Sequence, residues 1–164
     1  MIRDVEMHAA SDPDNAEVWV DLATVYARDG RNVPALEAAL RAAELAPDDP
    51  WTWFILGQAF GAIHKSGREP PLEVQATQGL RQCADRLYDF GVGRWQPAGS
   101  SIGHYSSLLL ARELYEALGD HARSAAAVEA AFQGLKQVAQ SDDPEMRGFA
   151  EHELRRLGKL RALE

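Results

Sequence analysis

Trp19, Leu22, Ala23 and Tyr26 recur 34 positions downstream as Trp53, Leu56, Gly57 and Phe60, and Pro13 recurs as Pro47. No other feature of the chain limits its fold so tightly. The spacing i, i+3, i+4, i+7 puts each quartet on one face of a helix, and its small member, Ala23 or Gly57, lets a second helix come close. A repeat of this length signals a supersecondary unit that buries its apolar face against its neighbours. The second copy lies in DPWTWFILGQAFGAIH, residues 49–64, a helix that is apolar nearly all round. One of its stripes is explained by packing between repeats; the other is left over.

The remainder of the first unit follows helix–turn–helix grammar. Gly30 ends the first helix, Asn32 is placed to cap the second, and Pro34 falls in its first turn, where a missing N–H does no harm. Ala35, Ala39, Ala42 and Ala43 form a small-residue stripe, Pro47 closes the unit, and Asp49-Pro50 caps and starts the next. This pattern resembles the tetratricopeptide repeat over residues 12–61, with Trp19, Leu22, Ala23, Tyr26, Gly30, Ala35, Ala42 and Pro47 matching in one unit and Trp53, Leu56, Gly57 and Phe60 in the next. The resemblance implies an all-α solenoid of about eight helices stacked as a right-handed superhelix, whose first helices line a concave groove that holds a peptide or partner helix.

The expected organisation is a single domain, 1–164. Residues 1–14 read as a half repeat, 15–48 as repeat 1, and 49–90 as repeat 2 with a polar inner connection, HKSGREPPL. A Gly/Pro-rich loop follows over 91–103. Residues 104–140 repeat the helix–turn–helix shape, with Tyr115 and Gly119 spaced like Tyr26 and Gly30, and 143–160 form a charged capping helix. The C-terminal half is thus irregular.

Subtracting the packing residues leaves candidates for a partner site. Trp51, Phe54, Gln58 and Gly61 share the spare stripe of the second repeat. The family resemblance implies that such positions face the groove. Their counterparts are Glu17, Val20, Thr24, Ala27 and Arg28 in repeat 1 and Ser106, Leu109, Glu113 and Glu116 in the third unit. Either Trp51 and Phe54 are exposed for a partner, or they pack against neighbouring helices. If exposed, burying both would contribute on the order of 3–6 kcal/mol of gross transfer energy. Members that grip an acidic C-terminal tail do so with basic and amide side chains. Val20, Thr24 and Ile55 occupy the matching positions here and cannot clamp a carboxylate, so an apolar or amphipathic segment is the expected ligand. In the 91–103 loop, Trp95 beside Arg94 offers a second anchor unless Trp95 folds back to plug the irregular repeat; folding back is the preferred reading.

Other chemistry is set aside on physical grounds. A formal charge of −8, with no basic run, argues against nucleic acid. No apolar stretch approaches a membrane span. One cysteine, Cys83, and a start without a signal-peptide pattern suggest a reducing, cytoplasmic setting. The five histidines lack metal-ligand spacing, so no metal or cofactor is expected. Gly99-Ser100-Ser101-Ile102-Gly103 matches the nucleophile-elbow pattern, but that motif needs a strand feeding the serine into a helix, and none is expected. The reading is a non-enzymatic module (adaptor, chaperone or assembly factor) that binds another protein. The alternatives are an enzyme or regulatory subunit using residues 91–104, or a self-associating scaffold whose half repeat leaves an apolar edge for another copy.

Overall fold

In the computed structural model, residues 2–66, 70–93 and 101–161 are described, and no strand occurs among them. They form α1 (Ile2–Ser11), α2 (Ala16–Arg28), α3 (Asn32–Leu45), α4 (Pro50–Ser66), α5 (Pro70–Gly91), α6 (Ser101–Ala117), α7 (His121–Val138) and α8 (Pro144–Arg161). Consecutive helices pair, and α2, α4 and α6 also pack side by side as one layer, with α3, α5 and α7 returning behind them. This is the all-α solenoid expected from the repeat.

The repeat is visible atom by atom. Asn15 accepts a hydrogen bond from the Glu17 N–H at the start of α2, and Asp49 accepts one from Trp51 at the start of α4, both at 3.0 Å. The Trp19 indole N–H donates to the Pro13 carbonyl at 2.8 Å, and the Trp53 indole donates to Pro47 at 2.7 Å. Each ring therefore pins its own helix to the connection that enters it. Beyond α2, Gly30 takes φ +74°. Its N–H bonds the Ala27 carbonyl while the Arg31 N–H bonds Tyr26, closing the helix in the Schellman manner. Gly119, at φ +69°, and Asp120 repeat the arrangement on Glu116 and Tyr115. The corresponding position after repeat 2 holds His64, and there the helix runs on to Ser66.

The all-round apolar character of α4 follows from its place. It packs against α2, α3, α5 and α6 at once. Of its 17 residues only Trp51, Gln58, Lys65 and Ser66 are exposed. One core joins α1 through α6 around Leu22, Leu56, Leu80, Leu87 and Leu114. A second joins α6, α7 and α8 around Tyr105, Leu108, Val128, Leu135 and Leu157. Buried Glu153 ties α8 to α6 by accepting the Tyr105 hydroxyl at 2.5 Å, with Arg156 at 3.4 Å.

Four local expectations are corrected. Asn32 does not cap α3; it lies inside the helix, behind an Arg31 N-cap that makes no side-chain bond. The loop expected over 91–103 does not hold at its ends, because Gly91 still belongs to α5 and α6 starts at Ser101. Within the polar connection expected over 64–72, α4 runs on to Ser66 and α5 already starts at Pro70. Among the described residues, the apolar edge expected on the half repeat is reduced to one large exposed group, Met7, beside Arg3, Asp4, His8 and Ser11.

Candidate functional site

Where α2 and α4 lie side by side, the small side chains of Ala23 and Ala27 face Ile55 and Ala59 and leave an open groove of about 440 Å³. Alanine one turn apart on α2 produces this hollow, since longer side chains would close it. Trp51 and Phe54 form its aromatic wall. Their ring centroids are 5.3 Å apart and tilted by 38°. Asp49 fixes the first turn of α4 through the Trp51 N–H, so the Trp51 backbone is held while its side chain stays 49% exposed. Phe54 is only 5% exposed and belongs to the core. The two aromatics placed together by sequence therefore divide the work: Phe54 supports, and Trp51 is presented.

Thr24, Arg28 and Gln58 complete the groove. The Thr24 hydroxyl is already committed, donating to the Val20 carbonyl at 2.9 Å. Arg28 and Gln58 are exposed. Arg28 is the one charged group among the described residues of the lining. Five of the expected residues thus meet here: Thr24, Arg28, Trp51, Phe54 and Gln58. Val20 does not; it is half-buried against the first core. Leu109 sits elsewhere, packed against the second core on α6. Arg94 and Trp95 lie outside the described residues. Sequence reasoning assigns Ala23 to packing and gives Ala59 no role, whereas both also line the groove, together with Ile55 from the expected groove face. The signal of Ala23 and Ala59 is a small side chain on a stripe adjoining the aromatic one.

Two further hollows are built differently. One of about 390 Å³ lies among α6, α7 and α8, walled by Tyr105, Leu108, Val138, Met146 and Phe149. The other, also about 390 Å³, lies among α5, α6 and α7 and is lined by Asp85, Asp89, Tyr115 and Arg123 among others. There Asp85 accepts the Tyr115 hydroxyl at 2.7 Å and also bonds Arg123. Burial, and then the hydrogen bond to Asp85, raises the Tyr115 hydroxyl well above its ordinary range. A phenol so raised keeps its proton, and its bond to Asp85 ties α6 to α5.

Cys83 is 1% exposed, and burial pushes its thiol up to about 12, leaving no thiolate for nucleophilic work. Among the described residues no three His, Cys, Asp or Glu side chains gather as metal ligands. Ser101 stands at the start of α6 with no described strand before it, while Gly99 and Ser100 lie outside the described residues. No helix among the described residues is long and apolar enough to cross a membrane.

Comparison with known proteins gives one family. The tetratricopeptide repeat model matches residues 10–59, the span from the end of α1 into α4 that contains both walls of the groove. No curated protein matches the chain significantly.

Proposed function

Residues 10–59 make this chain a tetratricopeptide-repeat protein, and on that premise we propose that it holds an apolar or amphipathic segment of another protein in the groove between α2 and α4. Repeats of this family generally mediate protein–protein interaction and are typically non-enzymatic. The finer reading, an adaptor, chaperone or assembly factor working in the cytoplasm, rests on the charge balance, the lone buried cysteine and the groove itself. One observation carries the reading: Trp51 is held in place by a capped helix start and a ring contact with Phe54, yet half of its surface remains open. A large aromatic group held rigid and left wet is the usual form of an interface anchor. With Phe54 already buried, Trp51 alone offers roughly 1.5–3 kcal/mol of transfer energy to a partner, and the alanine walls supply the rest of the contact.

The test is site-specific crosslinking in the native host. A photoreactive side chain at position 51 should join the protein to a partner, while the same group at Met7, on the exposed side of α1, should not. Trp51→Ala should release that partner with the helical circular dichroism unchanged. Crosslinking from Met7 alone, or retention of the partner by Trp51→Ala, would move the site off the groove.

A further inference from the structure

We infer that the segment held by the α2–α4 groove carries an internal acidic side chain immediately beside its apolar anchor, and that Arg28 reads it. This rests on the groove reading above and names the chemistry of its occupant.

The argument begins with which polar groups in the groove are spent. The Thr24 hydroxyl is tied to Val20 and offers the occupant no donor. No hydrogen bond or ion pair occupies Arg28 or Gln58 among the described residues. Arg31, Arg41, Arg81, Arg112 and Arg123 have carboxylate partners, whereas Arg28 has an open side chain, as do Arg3, Arg147 and Arg155, and is the one of these four that lines the groove. In a chain with net charge −8, the one charged group lining this apolar hollow is a cation, so the groove's own charge favours an acidic group in its occupant. The C-terminal dipole of α2 also favours a cation at this last turn, and the exposed side chain remains open to an occupant. Arg28 presents planar donors suited to a carboxylate, and the exposed Gln58 amide can add another donor on the α4 side.

The surroundings narrow the occupant further. The other exposed charges of α2 are Glu17 and Asp21, and α6 exposes Glu113 and Glu116 on the same helix layer. A strongly acidic tail lying along this layer would also meet those carboxylates. A single acid, flanked by neutral or basic residues, would not. This differs from a clamp on a tail terminus, for which Val20, Thr24 and Ile55 supply no charge. The carboxylate is also internal rather than a chain end. The walls continue for a turn on each helix, Ala23 to Ala27 and Ile55 to Ala59, so the segment has apolar surface to cover beyond the contact with Arg28. Apolar residues at i, i+3 and i+4 suit such a wall.

The test uses a random 12-residue peptide library displayed with its C-terminus fused, so that no terminal carboxylate is available. Selection is run in parallel on the wild type, Arg28→Gln and Trp51→Ala. On the wild type, recovered peptides should be enriched in Asp or Glu adjacent to Trp, Phe, Leu or Met. On Arg28→Gln the apolar enrichment should persist while the acidic enrichment disappears. A synthetic peptide from the wild-type pool should bind Arg28→Gln about five- to tenfold more weakly at low salt and nearly equally at 1 M salt. Acidic enrichment that survives Arg28→Gln, or is absent from the wild type, overturns the proposal but leaves the groove standing. No enrichment on the wild type, or the same peptides recovered on Trp51→Ala, removes the groove reading as well. Enrichment only when the library is rebuilt with free C-termini shows that the carboxylate is a chain end, and the internal-acid proposal fails.

Discussion

Two junctions between first helices of successive units show how one side chain sets the spacing of the solenoid. Between α4 and α6, Gly57 occupies the close approach. A Cβ there would collide with the Leu114 side chain and stand 3.2 Å from the Cβ of Cys83. Between α6 and α8 the register given by Tyr115 and Gly119 puts Arg112 in the same slot and Leu108 where Trp19 and Trp53 stand. Arg112 bonds Glu116 at 2.9 Å along its own helix, and its buried Nε has no partner among the described residues. No Cα pair of α6 and α8 comes within 8 Å among the described residues. Side chains bridge the gap instead, through Tyr105 to Glu153 and the edge-on packing of Tyr105 against Phe149 at 6.1 Å. A small residue lets backbones meet; a long one leaves a hollow and makes the contact depend on longer side chains.

The largest effect should come from swapping the character of those slots. Gly57→Leu forces overpacking against Leu114 and should cost about 3 kcal/mol in urea unfolding followed by circular dichroism. Arg112→Ala removes an unsatisfied Nε together with a partly exposed ion pair, and should stay within about 1 kcal/mol of wild type. Equal losses at the two positions would mean that the slot does not govern the spacing.

The turn glycines sharpen the same contrast at a smaller scale. A Cβ added at Gly30 or Gly119 would meet no neighbouring atom within 4 Å, but both residues lie at positive φ. Gly30→Ala and Gly119→Ala should each therefore lose about 1–2 kcal/mol from the left-handed backbone alone. His64 fills the corresponding slot of repeat 2, inside a continuing helix, with Nδ1 paired to the Thr77 hydroxyl at 2.8 Å. His64→Gly should accordingly destabilise rather than help, by about 1 kcal/mol in the same assay. A stabilised His64→Gly would show that α4 is merely overrun and that the turn prefers to close early.

Removing one hydrogen bond from each regular repeat should cost less again. Trp19→Phe and Trp53→Phe keep an aromatic ring but lose the indole donor to Pro13 or Pro47, each worth about 1 kcal/mol. The Arg86 guanidinium lies 5.1 Å from the Trp53 ring centroid, so the Trp53 variant should lose slightly more. Unfolding curves that separate the two by several kcal/mol would break the equivalence of the repeats.

What can be read from sequence follows from which forces leave a mark there. The 34-residue period reveals α2, α3 and α4 because their packing repeats the same residue at the same interval. Tyr115 and Gly119 are enough to reveal the third pair. Boundaries near 64–72 and 91–103 shift in the structure because glycine and proline suggest breaks, whereas Pro70 and Gly91 lie within α5 and Gly103 lies in the first turn of α6. The groove is half legible. Helical spacing puts Trp51 and Phe54 on one stripe, but it cannot say that α2, α3, α5 and α6 all surround α4 and bury Phe54. Leu109 departs from expectation for a related reason: Ser106, Glu113 and Glu116 of its stripe are exposed, while Leu109 itself packs against the second core. Periodicity identifies a face, and only the neighbours decide whether that face is wet.

The smallest expected effect concerns a cap that differs between units. Asn15 caps α2 without charge, whereas Asp120 caps α7 and also accepts from Arg81 on α5 at 2.7 Å. The bond from Arg81, and then the Arg123 backbone N–H at 3.2 Å, hold the Asp120 carboxyl below the usual range. A depressed carboxylate contributes stability above its unfolded value, near 3.9, and that contribution is lost as pH falls through the folded value. Asp120→Asn keeps the capping acceptor and removes only the charge. Wild type and Asp120→Asn should therefore differ modestly at pH 7, converge as pH drops below about 4, and also converge at pH 7 in 1 M salt. A gap that persists unchanged in acid would place the contribution of Asp120 in hydrogen-bond geometry rather than charge. The α5–α7 contact would then be held in the same neutral way as the capped start of α2.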